Sequence, residues 1–403
     1  MPHILYLSYD GMTDTLGESQ VLAYAAPLSE KGYTIHLLSF EKPALYQQEG
    51  QRIAAFCEAH GLYWHPQTYH KQPPVLSTLQ DIRQMKRVAT RLHRQYDFQG
   101  VHCRGYISGL VGLHLKQKAG IPYLFDMRGF WPDEKRDSGA WKAPWFKPVY
   151  RYFKRMEIRL FAQAKGIVSL TQAGKSEIVQ QGWSSEEQIG GIPTCVDFDV
   201  FPAFSPAIRE EVRTALGIPP DAKVLLYSGS LGGNYDLRIP FTIFEQFRKA
   251  FPDGHFLILS RSDPGIVADY LREKALPEAF IHIATVPFPE VHRYLMAGDA
   301  GLIFYGKGYS NIGRSPTKLG EYWACGLPVL SLSGIGDVDH LLRQYPENGS
   351  LIQDLDPAHL KRVWNTFPFG APKAQMRKDA MAYYALEKGV AFYQQTYQKL
   401  IAT

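Results

Sequence analysis

Residues 306–337 read GKGYSNIGRSPTKLGEYWACGLPVLSLSGIGD. The apolar run just before them, 302–305, suits a buried strand. A polar loop with glycine at 306, 308 and 313 follows. Ser315-Pro316 then predicts a helix start, because proline lacks the N–H that a first helical turn leaves unpaired. The helix is expected over 317–325, with Gly326 just past its end and Pro328 barring continuation. Residues 329–332 form the next strand. Strand, glycine loop, helix N-terminus and strand make an α/β unit that offers backbone N–H groups and a positive dipole end to an anion.

Glu321 stands one turn into that helix and is its one carboxylate. Beside an anion site it reads as a receptor for hydroxyl groups, as in ribose binding, or as a solvent-facing acid favoured by the dipole. Outward from this stretch the same alternation continues. Strands are expected at 224–228, 256–260, 281–285 and 301–305 in the second half, and at 4–8, 33–40, 100–103, 122–126, 167–170 and 188–192 in the first. Helices are expected at 18–32, 46–60, 75–96 and 107–119, and a last one at 386–401. This rhythm predicts parallel, doubly wound sheets.

With 403 residues, 45% hydrophobic and 21% charged, the composition is that of a globular protein whose length suggests two domains of about 200 residues. The net charge of +5 is a mild excess, and no zinc-finger spacing or RNP-like motif accompanies it, so nucleic acid is not an expected partner. Cys57, Cys103, Cys195 and Cys325 are far apart and form no CxxC. That fits reduced thiols in a cytoplasm. The start, MPHILYLSYDG, enters a strand directly, and neither a signal peptide nor an apolar run of about 20 residues is found.

Two glycine loops follow strands. The first runs from Tyr9 to Gly17 and lacks the GxGxxG of dinucleotide sites. Gly17 by itself needs no more than a left-handed loop position. The second, LYSGSLGGN at 226–234, is a turn of the kind that lets a diphosphate approach the backbone, although any βα turn can hold glycines.

SPTKLGEYWACGLPVL resembles the nucleotide-sugar signature of family 4 glycosyltransferases of the GT-B fold, and the DGM…LGESQ loop is similar to that family's first-strand loop. The resemblance covers nearly the whole chain. It implies an α/β fold of two Rossmann-like, doubly wound domains facing each other across a cleft: 1–200 for the acceptor, 201–385 for the nucleotide sugar, a hinge at about 193–205, and a last helix, 386–403, crossing back onto the first domain. Glu321 would hold the donor ribose. Gly229, Ser230, Gly232, Ser315, Pro316, Thr317, Lys318 and Leu319 would line the donor site, Val286 would lie against the nucleobase, and Asp10 and Gly17 would face the transferred sugar and acceptor.

The sequence departs from the family pattern in three places. A second Glu, expected eight positions before Glu321, is Gly313. The Arg and Lys expected on the donor phosphates are Ser230 and Tyr235, which leaves Lys318 and Arg261 to meet the diphosphate, with Arg314 and Arg238 behind them. A His expected near the first-half strand ends is replaced by Arg104 and Arg128. The Asp126–Arg128 pair reads as orienting an acceptor hydroxyl, as holding an acceptor phosphate, or as a structural ion pair; His102 reads as sheet interior. Lys318, Arg128, Asp126 and Arg104 are the expected catalytic set.

Transfer of a sugar from a nucleoside-diphosphate sugar to a glycan or lipid-linked acceptor, with retained anomeric configuration and no cofactor or metal, is the implied activity. A place in cell-surface glycan or glycolipid assembly goes with it. A nucleotide-sugar 2-epimerase and a non-catalytic nucleotide-sugar-binding protein are the alternatives. The D-x-D triplets 197–199, 337–339 and 354–356 could hold Mg²⁺ in principle, but none follows a strand at the donor loop except Asp337, which is expected to cap a helix. Finally, 141–165 interleaves aromatic and basic residues. Arg151, Lys154, Arg155 and Arg159 are expected on one helical face and Phe153, Met156 and Leu160 on another, which fits either docking on an anionic membrane or a surface helix packed on the sheet.

Overall fold

The first sheet consists of β1 (His3–Ser8), β2 (Thr34–Glu41), β3 (Tyr63–Thr68), β4 (Gly100–Arg104), β5 (Tyr123–Asp126), β6 (Gly166–Ser169) and β7 (Ile189–Gly191). All its pairings are parallel, in the order β3-β2-β1-β4-β5-β6-β7. The second holds β8 (Val224–Ser228), β9 (His255–Leu259), β10 (Ile281–Ala284), β11 (Ala300–Ile303), β12 (Val329–Leu332) and β13 (Gly349–Ile352), also parallel, in the order β10-β9-β8-β11-β12-β13. The computed structural model describes residues 1–232, 235–274 and 278–402. Helices connect successive strands, as parallel pairing requires.

Both faces of each sheet are covered, so the central strands are apolar throughout rather than alternating. On β8, Val224 and Leu226 enter a core with Trp323, Tyr322 and Leu319, while Leu225 and Tyr227 face Phe241, Phe244 and Phe256 on the other side. In each sheet the strand order reverses once: between β1 and β4, and between β8 and β11. At such a reversal the connections leave on opposite faces, and the gap beyond the strands' carboxyl ends takes ligands.

The described residues form two compact units, the first of 1–133, 143–195 and 386–403 and the second of 134–142 and 196–385. The last helix, Leu386–Ile401, therefore belongs to the first unit: Tyr393 and Tyr397 are buried in that core, and the Tyr397 hydroxyl meets His102 Nδ1 at 2.8 Å. The chain leaves the first unit between Cys195 and Val196, within the Pro-, Thr- and Asp-containing segment.

Two strands go unpredicted. β3 is an edge strand whose sequence, YWHPQT, is polar and contains proline, and β13 is only GSLI. Neither has an apolar run to announce it, and each is recruited by pairing with an apolar neighbour. The first helix begins at Thr15 instead of Glu18, passes through a π turn over Glu18–Leu22, and continues as Ala23–Glu30. The central helix of the 306–337 stretch starts at the expected residue and ends one residue early, Thr317–Ala324, with Pro316 at the N-cap and Gly326 at φ +69 just past the end.

Candidate active site

In the second unit, the turn after β8 and the Thr317–Ala324 helix meet at the β8/β11 reversal. Gly229 has φ +146, and a Cβ there would lie 2.9 Å from Lys318 Nζ and 3.0 Å from the Tyr227 hydroxyl, so glycine is required both by conformation and by space. Ser228 N–H donates to the Tyr322 hydroxyl at 2.8 Å, and the Tyr227 hydroxyl donates to the Ser230 carbonyl at 2.8 Å. These bonds tie the turn to the helix on one side and to its own strand on the other. Gly233 and Asn234, which complete the expected glycine turn, lie outside the described residues.

Lys318 crosses from the helix to this turn. Its Nζ stands 4.4 Å from the Tyr227 ring centroid and 5.2 Å from that of Tyr235, is shielded from solvent, and has no hydrogen-bond partner among the described residues. Burial lowers its pKa to about 7, and Glu321, one turn on, only partly offsets the effect. Burial in turn raises the Glu321 carboxyl to about 7 against the attraction of Lys318. Tyr235, which stands where the family pattern has a lysine, thus presents its ring to the Lys318 ammonium group.

The other expected donor residues divide. Leu319 is buried and Pro316 marks the helix start. Ser230 is exposed, Arg261 is exposed two residues past β9, and Val286 is half-buried beside the short Phe288–Glu290 turn. Arg238 does not face the site: its exposed guanidinium is bound to Asp236. Arg314 stacks on Tyr305 at 4.5 Å and pairs with Glu134 at 3.3 Å.

In the first unit, a second polar cluster forms at the β1/β4 reversal. Arg104 ends β4, and Arg128 follows β5 with φ +57, a left-handed conformation that costs a non-glycine residue about 1–3 kcal/mol. Both donate through Nη2 to Gln20 Oε1, at 2.7 and 2.8 Å. Asp126 is 1% exposed and accepts from the Tyr393 hydroxyl at 3.1 Å, with His102 Nε2 at 3.4 Å and Arg128 Nη1 at 3.6 Å. Burial would raise its pKa, but Arg128, His102 and Arg104 prevail and hold it at about 2. Asp126 Oδ1 and Arg104 Nη1 are buried without hydrogen-bond partners among the described residues. His102 is sheet interior, 1% exposed.

Gln20 escaped the sequence reading as a site residue. Its signal was its place in the LGESQ run, on the helical turn that follows Gly17. Gly17 is not left-handed, as expected, but helical at φ −62; glycine is needed because a Cβ would strike the Gly11 carbonyl oxygen and Met12 Cα. Asp10 lies 3.4 Å from Arg104 Nε. The loop between them is clamped by a residue no motif marked. The Glu41 carboxylate, 2% exposed at the end of β2, accepts from Met12 N–H at 2.8 Å, Thr13 N–H at 3.1 Å and Thr13 Oγ1 at 2.7 Å.

Three further expectations are corrected or resolved. Lys154 is not on an open basic face: it is bound to Asp133 at 2.8 Å and to the buried Glu157, whereas Arg151, Arg155 and Arg159 are exposed. Asp337 makes no side-chain cap and accepts instead from the Tyr383 hydroxyl at 3.1 Å; Asp339 accepts from Ser333 Oγ and the Gly334 N–H ahead of that helix. The Asp197 and Asp354 carboxylates are engaged in local turns. Among the described residues, no group of three His, Cys, Asp or Glu is placed to hold a metal, and no helix is long and apolar enough to cross a membrane.

Two parallel sheets, each with a polar cluster at its order reversal, form an α/β fold of the GT-B type. Comparison with solved structures bears this out. The chain superimposes on Anabaena Alr3699/HepE in complex with UDP and glucose at TM-score 0.70 and 14% identity, covering 98% of this chain and 99% of that one. It superimposes on the sucrose-phosphate synthase of Thermosynechococcus elongatus at TM-score 0.72 and 16% identity, covering 99% of each. Residues 17–189 match the model of the Glycosyl transferase 4-like domain family. Among curated relatives, the D-inositol 3-phosphate glycosyltransferase of Paenarthrobacter aurescens (strain TC1) is 23% identical over 249 residues, 60% of this chain and 57% of that protein. The chain thus matches somewhat over half the length of that relative.

Proposed function

We propose that this protein transfers a sugar from a nucleoside-diphosphate sugar to an acceptor hydroxyl, with retained configuration and without a metal. One observation carries the reading: the unpartnered Lys318 ammonium group beside the Gly229 turn, one turn before Glu321. A buried cation without a partner is unfavourable by itself and becomes favourable when an anion arrives. The family's phosphate cations are absent at Ser230 and Tyr235, and Lys318 reaches the same turn from the opposite side. In this reading the bond between the anomeric carbon and the phosphate oxygen breaks. The acceptor oxygen bonds to that carbon on the same face, and the hydroxyl proton passes to the departing diphosphate. Lys318 and the N-terminus of its helix meet the negative charge that grows on the leaving group. Glu321 binds the ribose hydroxyls, with Gly232, Ser315 and Thr317 around it, Arg261 at the phosphates and Val286 by the base.

The finer reading is of a hexosyl transfer to a lipid-linked acceptor in glycan or glycolipid assembly at an anionic membrane. It is supported by the Lys147–Gln163 helix, whose exposed Arg151, Arg155 and Arg159 lie among exposed Trp145, Tyr152 and Ile158.

A thermal-shift screen of nucleoside diphosphates tests the core of this reading. A ligand at 100-fold over its Kd adds about 2.7 kcal/mol, or about 5–10 °C for a unit of this size. Release of nucleoside diphosphate from a donor only when acceptor extract is added would then mark a transferase. No stabilisation by any nucleoside diphosphate would refute it.

A further inference from the structure

Arg104 and Arg128 share one neutral acceptor, Gln20 Oε1, and are short of negative charge. Their acidic neighbours are loosely engaged, with Asp10 Oδ2 at 3.4 Å from Arg104 Nε and Asp126 Oδ2 at 3.6 Å from Arg128 Nη1. Arg104 is 5% exposed, yet its Nη1 has no hydrogen-bond partner among the described residues. A buried charged donor left empty is costly, and its persistence asks for an explanation. Arg104 is also the N-cap of the Gly105–Ala119 helix and makes no side-chain cap, so the positive end of that helix opens at the same point. Thr194 Oγ1, 3.4 Å from Arg128 Nη2, adds a hydroxyl.

We infer that Arg104 and Arg128 form an anion subsite at the β1/β4 reversal, and that the acceptor carries a phosphate or carboxylate group that binds there. The inference rests on the transferase reading for the word acceptor, but the subsite itself does not. Two planar guanidinium forks match a phosphate or carboxylate through paired N–H donors, whereas a neutral sugar would leave Nη1 of Arg104 poorly served. Asp126 keeps Arg128 in place from below, and Gln20 sets the spacing of the two forks.

Inorganic phosphate titrated into the full chain, at constant ionic strength with chloride as the control, provides the test. Arg104→Gln is expected to weaken phosphate at least about 10-fold, the size of one charge-assisted hydrogen bond, and Arg104→Lys to recover part of it. Lys318→Ala should leave this phosphate site intact. Should Arg128→Gln not fold, Arg104→Gln decides alone, since Arg104 has ordinary extended backbone. Unchanged phosphate affinity in Arg104→Gln overturns the subsite. UDP-glucuronate bound more tightly than UDP-glucose in an Arg104-dependent way would put the anion on the donor and overturn its assignment to the acceptor. Arg104-dependent phosphate binding in a chain that binds no nucleoside diphosphate would refute the transferase reading and leave the subsite standing.

Discussion

Lys318 and Arg128 are both cations screened from water at a reversal of strand order, and their surroundings drive them in opposite directions. Around Lys318 stand the rings of Tyr227 and Tyr235 and the backbone of Gly229, and the nearby acid Glu321 is half-buried. Burial therefore prevails, and the ammonium is brought down to about 7. Around Arg128 burial also disfavours charge, but Asp126 lies within 3.6 Å and prevails, and the carboxylate in turn is held at about 2. The lesson is that burial alone does not predict the state of a charged group; the presence of an ionised partner decides it. Arg128 thus has an ionised partner within its own unit. The other unit has left a cation waiting.

Breaking the satisfied pair should have the largest effect. Asp126→Asn leaves Arg128 charged and largely screened from water without its partner, and is expected to destabilise the protein by about 3–5 kcal/mol in urea or thermal denaturation. A loss below about 1 kcal/mol, the range of an exposed pair, would mean that Arg128 does not depend on that carboxylate.

Removing the waiting cation should act on rate and stability in opposite senses. Lys318→Ala is expected to lower kcat by about 100- to 1000-fold, the loss seen when one preorganised transition-state donor is deleted. The same variant should melt higher, because an unpartnered buried charge is gone; a lysine pointing to solvent would leave kcat unchanged. The pH dependence sharpens this. The lysine's pKa falls from 10.5 to about 7 on folding, so its penalty is complete below about pH 7, declines between the two values, and vanishes above the upper one. The stability advantage of Lys318→Met over wild type should therefore be greatest below neutrality and fade toward pH 10.5. An advantage independent of pH would show that the ammonium is solvated.

Glu321→Gln should cost less, about 10- to 200-fold in kcat/KM, corresponding to one hydrogen bond from a charged group. An unchanged value removes Glu321 from ribose recognition. Smallest is the surface effect. Changing Arg151, Arg155 and Arg159 to Glu should weaken sedimentation with anionic vesicles by about 1 kcal/mol for each positive charge removed, more at low salt than at high salt. Salt-independent binding, or none by the wild type, leaves the Lys147–Gln163 helix a structural one.

Much of the fold was legible because parallel strands buried on both faces must be largely apolar, and β8, β9, β11 and β12 are. The 306–337 stretch disclosed its helix through Pro316 and Gly326, residues whose backbone restrictions act locally. β3 and β13 were illegible for the converse reason: their pairing comes from a neighbour, and nothing in YWHPQT or GSLI requires it. Lys154 was misplaced because helical periodicity puts it with Arg151 and Arg155, while the buried Glu157 and Asp133 draw it inward.

By itself the sequence determined the two runs of alternating strands and helices, the glycine turns, and which expected cations are missing at Ser230 and Tyr235. These depend on residue type and spacing along the chain. Only the tertiary structure decided that Lys318 reaches the Gly229 turn, that Gln20 bridges two arginines, and that Glu41 holds the first loop. Those relations join residues far apart in sequence, and the state of each charge depends on which neighbours burial leaves within reach.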